Sequence, residues 1–65
     1  MRNSGGPVAE SQLSELRNMR VVLEQARLLA SDLAYHRRAR LEAAIGRALE
    51  EVDGQIEELR ADRRG

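Results

Sequence analysis

The chain lacks several residue types on which small folds commonly depend. Among its 65 residues there is no cysteine, phenylalanine or tryptophan, and there is one tyrosine and one proline. The absence of cysteine excludes a disulfide framework and a thiolate metal site. Because a chain of this length buries little surface, regular helix packing or association with another chain has to support the fold.

Neither sign of charge is in excess. The 11 basic residues, all of them arginine, balance 11 acidic residues, which argues against a generally basic nucleic-acid binder and against an acidic tail. No run of about 18 apolar residues occurs, and Arg2 is not followed by an apolar stretch, so neither a membrane span nor a signal peptide is expected. The expected location is the cytoplasm.

The residues that are abundant, namely alanine, leucine, glutamate and arginine, are helix formers. In both halves of the chain, apolar residues repeat at alternating spacings of three and four, the pattern of a helix face that packs on another helix. The predicted seam between two helices comprises Leu13, Leu16, Met19, Leu23, Ala26 and Ala30 in the first half and Leu41, Ile45, Ala48, Val52, Ile56 and Leu59 in the second.

These patterns predict an all-α fold, an antiparallel two-helix hairpin of coiled-coil type. We expect a disordered tail over 1–6 and a helical domain over 7–63, with helix 1 at about 8–33, a turn at about 34–38 and helix 2 at about 39–62. Ser31 and Asp32 are alternative caps for a second helix that starts earlier. Turn signals are weak throughout, so one long helix in an antiparallel coiled coil remains the alternative.

The apolar stripe is wider than one neighbouring helix can cover. Val22, Leu29 and Leu49 flank the seam, and Val21 and Leu28 lie further round helix 1. We therefore predict that Val22, Leu29 and Leu49 form an interface with a partner or a second copy, and that two hairpins form a dimeric four-helix bundle.

Residues suited to catalysis are scarce. The chain has one histidine and no cysteine, so no enzyme activity, cofactor, metal site or small-molecule substrate is expected. His36 follows Asp32 by four residues, which would make a two-ligand metal site at best. Gly46 and Gly54 permit two interpretations, close approach of another helix or glycines tolerated within a helix.

The expected function is that of a non-catalytic protein–protein interaction module, such as a small adaptor, co-chaperone or regulator. It would act by self-association or by binding an amphipathic helix of another protein. The alternative is a small dimeric regulator that binds nucleic acid through Arg37, Arg38 and Arg40, which cluster at the predicted turn. One observation counts against this alternative: Tyr35 is the only aromatic side chain beside the arginines on which a base could stack.

Overall fold

The chain forms two α-helices that pack against each other as a hairpin. The structure, a computed structural model, describes the backbone of residues 6–64 and the side chains of residues 10–62. Helix α1 spans Gly6–Ala30 and helix α2 spans Tyr35–Arg64, and the described residues contain no strand. The hairpin measures 48 × 17 × 15 Å. The all-helical hairpin is therefore confirmed, and the single long helix considered from the sequence is wrong.

The connection between the helices lies earlier than the sequence pattern suggests. Backbone N–H groups of Ser31, Asp32 and Leu33 donate to the carbonyls three residues before them at 3.0–3.2 Å, which tightens the end of α1. The Ser31 hydroxyl donates to the Leu28 carbonyl at 2.6 Å. Ser31 thus satisfies the end of α1 and does not cap the start of α2.

Helix α2 begins within the segment predicted to be the turn. The Arg38 N–H donates to the Ala34 carbonyl at 2.9 Å, so Tyr35 to Arg38 form the first turn of α2. Arg38 also lies over the Tyr35 ring, 5.5 Å from its centroid, a pairing that the three-residue spacing on a helix permits. Of the predicted tail, residues 1–5 lie outside the described residues, and Gly6 is the first residue of α1.

A small apolar core joins the helices. Its buried residues are Leu13, Ala30, Leu49, Val52 and Ile56. Leu13, Val52 and Ile56 form one cluster, against which Leu16, Leu23 and Leu59 pack. Since Leu13 is at the start of α1 and Val52 and Ile56 are late in α2, the helices run in opposite directions.

Three predicted positions need correction. Leu49 was assigned to an external interface but is 7% exposed, because the row Leu49, Val52, Ile56 has the three–four spacing that faces α1. Met19 and Leu41 were assigned to the seam but are 50% and 45% exposed. The remaining seam residues, Ala26, Ile45 and Ala48, are half-buried.

Candidate protein-interaction face

One side of the hairpin carries an apolar groove near the connection between the helices. Its walls are formed by Ala26, Leu29 and Ala30 from α1, by Leu33 from the connection, and by Leu41 and Ile45 from α2. A second concavity continues it past Leu33 and Leu41 to Arg37, Arg40 and Ala44. We call this side of the hairpin the groove face.

Helix α1 contributes a regular apolar row to the groove face. Met19, Val22, Ala26 and Leu29 follow one another at spacings of three, four and three, which keeps them on one stripe of the helix. Leu33, four residues further on in the connection, lines the groove beside them. Val22 and Leu29 are 61% and 71% exposed, and Leu33 is 42% exposed. Contiguous exposed apolar residues of this kind are typical of surfaces that bind another protein.

Helix α2 contributes the opposite wall with smaller side chains. Leu41, Ala44 and Ala48 follow the same three–four spacing, and Leu41 is 45% exposed. Alanines beside the leucines and valine of α1 leave a shallow trough, into which a side chain from another helix could insert as a knob.

Away from the connection, the groove face becomes polar and acidic. Its lining there is Gln12, Glu15, Leu16, Gln55, Glu58 and Leu59. Glu15 is in line with Val22 and Leu29 because these residues are seven apart, about two helical turns. Glu51 and Glu58 continue the line of Ala44 on α2 in the same way.

The three arginines singled out in the sequence do not form one patch. Arg37 and Arg40 lie about 60° apart around α2 and both line the groove. Arg38 is half-buried and packs over the Tyr35 ring, about 160° from Arg40. The groove face therefore holds two of these arginines at its connection end, and the third lies on another side of α2.

The outer side of α1 carries a second, smaller set of exposed apolar residues. Val21 and Leu28 are 57% and 71% exposed, about 100° round the helix from Val22 and Leu29. Tyr35, at the start of α2, is 75% exposed. In exposure and residue type, Val21 and Leu28 match Val22 and Leu29, but they do not line the groove.

The edge of the hairpin opposite the groove face is marked by an ion pair between the helices. Arg20 Nε donates to Asp53 Oδ1 at 2.8 Å, and both side chains are about half exposed. The hydrogen bond to Asp53, together with its charge, raises the pKa of Arg20 above its usual value. This exposed pair contributes little free energy, and it joins α1 to α2 at that edge.

Among the described residues, no group of three or more histidine, cysteine, aspartate or glutamate side chains is placed to hold a metal ion. His36 and Asp32 are both exposed. No described helix is long and apolar enough to cross a membrane.

The sequence pattern did not single out the full groove face. Val22 and Leu29 were identified as interface residues, but Leu33, Ala44 and the pair Arg37 and Arg40 were not assigned to the same surface. The available signal was the three–four spacing from Met19 to Leu33 and from Leu41 to Ala48, which runs beside the seam. No protein-family model, curated protein or solved structure matches this chain.

Proposed function

We propose that the chain is a non-catalytic protein–protein interaction module that self-associates through the groove face into a dimeric four-helix bundle. The observation that carries the proposal is the exposed row from Met19 to Leu33, with Val22 61% and Leu29 71% exposed. Neither described helix covers this row of three–four spacing. Such a row is the surface on which a further helix packs by knobs into holes.

The energetics favour covering this face. Burying a valine or leucine side chain fully stabilises by about 1.5–3 kcal/mol, and in a symmetric dimer each such side chain is buried twice. The core of one hairpin is small, since only five of the described residues are buried apolar residues. Small helical domains commonly gain the missing stability by oligomerisation.

Such a module would act as an adaptor, a co-chaperone or a small regulator, and not as a catalyst. An amphipathic helix from another protein would pack on the same row. We favour binding of nucleic acid less, because Arg38 lies on a different side of α2 from Arg37 and Arg40 and packs over the Tyr35 ring.

The proposal is tested by changing the groove face and a matched surface in parallel. In the double variant Val22→Glu/Leu29→Glu, four charges would be buried per dimer, so we expect the dissociation constant of the dimer to rise by at least about 100-fold. The control, Val21→Glu/Leu28→Glu, makes the same substitutions on equally exposed residues of the outer side and should leave the dimer intact.

The measurement is molar mass by light scattering across a concentration series, with helicity followed by circular dichroism. An unmodified chain that is a monomer at every concentration, or a groove-face variant that keeps the dimer mass, would contradict the proposal. A monomer of low helicity would direct attention to the amphipathic helix of another protein as the missing partner.

A further inference from the structure

The two ends of the groove face carry opposite charges. Arg37 and Arg40 lie at the end near the connection, and Glu15 and Glu58 lie at the other end. Glu51, on the same line of α2 as Glu58, adds a third carboxylate. Arg47, seven residues after Arg40, lies near the middle of the hairpin and does not change the sign of either end.

We propose that the occupant of the groove face is a second copy of this chain in antiparallel orientation, with the connection of each hairpin against the acidic end of the other. This inference rests on the proposed self-association and specifies its geometry. The two-fold axis lies across the hairpin, so α1 packs on α1 of the second copy and α2 packs on α2.

The spacing of the apolar row fits this symmetry. Reversing the row about Ala26 places Met19 opposite Leu33 of the connection and places Val22 within one residue of Leu29, because the three–four pattern is nearly the same in both directions. On α2 the same axis passes between Ala44 and Ala48. Large side chains therefore meet across the two flanks, and small ones lie at the axis, where the helices approach closely.

The same register pairs the charged ends. Arg37 falls opposite Gln55 of the second copy, within about one helical turn of both Glu51 and Glu58, and Arg40 falls beside Glu51. A long arginine side chain spans this axial offset. In a parallel dimer, by contrast, the arginines of both copies would be at one end and the carboxylates of both at the other, which places like charges together.

In this register the two copies overlap over part of their length. The paired stretch of α2 from Arg37 to Gln55 is 18 residues, about 27 Å, so little more than half of the face of 48 by 17 Å is covered. This area is smaller than the surface of about 800 Å² that each partner contributes to an interface of standard size. The apolar row lies at the centre of the overlap and charged residues lie towards its ends, so the interface has an apolar centre and a polar rim, as stable interfaces commonly do.

A distance between two labels decides the orientation. Because the chain has no cysteine, the substitution Ser11→Cys gives a single attachment site for a spin label on an exposed residue far from the axis. Fifteen residues separate it from Ala26, so the antiparallel dimer places the two labels about 45 Å apart. The parallel dimer places them within about 20 Å, since both would lie at the same end of adjoining helices. Pulsed electron paramagnetic resonance distinguishes these distances.

Charge reversal tests the pairing itself. We expect Arg37→Glu/Arg40→Glu to raise the dissociation constant about tenfold or more at low salt, since four weak ion pairs become repulsive. Adding Glu51→Arg/Glu58→Arg to the same chain should restore the dimer. The control Arg17→Glu/Arg60→Glu makes the same change in net charge away from the groove face and should have little effect.

The outcomes separate the two proposals. A dimer that depends on Val22 and Leu29 but shows label distances within about 20 Å, or that is indifferent to Arg37→Glu/Arg40→Glu, overturns the antiparallel arrangement and leaves self-association standing. A chain that stays a monomer overturns both. Light scattering on the labelled protein confirms that the distance belongs to the dimer.

Discussion

Replacing the two glycines of α2 by alanine should stabilise the protein. Gly46 and Gly54 lie inside the helix Tyr35–Arg64, where glycine is less favourable than alanine by about 1 kcal/mol, chiefly because its unfolded chain has more conformational freedom. Beyond the neighbouring helix backbone, an added methyl group at either position meets no atom of the described chain within 4 Å. The gain in helix propensity is therefore not offset by a clash within the hairpin.

The expected size of the effect follows from the length of the chain. Unfolding entropy scales with residue number, so for 65 residues a gain of about 1 kcal/mol raises the melting temperature by about 7 °C. The two positions are eight residues apart, about 12 Å along the helix, and their effects should add. The double variant Gly46→Ala/Gly54→Ala should thus gain about 2 kcal/mol and melt about 14 °C higher.

Thermal unfolding followed by circular dichroism measures this shift. All variants are compared at one protein concentration, because association makes the melting temperature depend on concentration. In the proposed dimer, Gly46 lies off the groove face, so its gain should persist in the associated state. Gly54, fourteen residues after Arg40, lies on the line of Arg40 at the edge of the groove face, beyond the apolar row, and its gain should persist as well. The light-scattering mass of each variant should equal that of the unmodified chain.

A loss of stability at either position would refute this reasoning. It would mean that the backbone of another helix lies against that glycine, so that a methyl group forces the two helices apart. That result at Gly46 or Gly54 would favour the interpretation of the glycines as close-approach sites. A loss at Gly46 would also place an interface on a side of α2 outside the groove face.

Two further predictions concern the core and the edge of the hairpin. Leu13→Ala should lower the free energy of unfolding by about 2–5 kcal/mol, because Leu13 is 1% exposed. Leu28→Ala, at a residue that is 71% exposed, should change it by less than about 0.5 kcal/mol. Urea unfolding measures both variants, and equal losses would contradict the assigned core. A double-mutant cycle on Arg20 and Asp53, with alanine at each, should give a small favourable coupling at low salt that largely vanishes at about 1 M salt. A coupling that survives high salt would contradict the exposed character of the pair.

The sequence was sufficient to predict the class of fold and the direction of packing. Helix formers, the absence of proline after Pro7 and the three–four spacing predict helices, and the pairing of early with late apolar residues predicts that they run antiparallel. It also predicted that Val22 and Leu29 lie on the flank of the packed face, where both are exposed, because an apolar stripe too wide for one neighbour leaves residues on its flank. The helices and their uncovered flank follow from the spacing of apolar residues along each helix, and the antiparallel direction follows from comparing the two spacings. Both can be read from the order of the residues.

Only the tertiary structure decided which apolar row faces the other helix. Rows through Ala48 and through Leu49 are both apolar and lie about 100° apart on α2, so spacing alone does not choose between them. Packing of Leu13 with Val52 and Ile56 fixes the rotation of each helix, which buries Leu49 and exposes Met19. The position of the connection was decided in the same way, because no glycine or proline marks it and the helix end depends on hydrogen bonds around Ser31. The groove face exists only because two helices with these rotations are placed side by side.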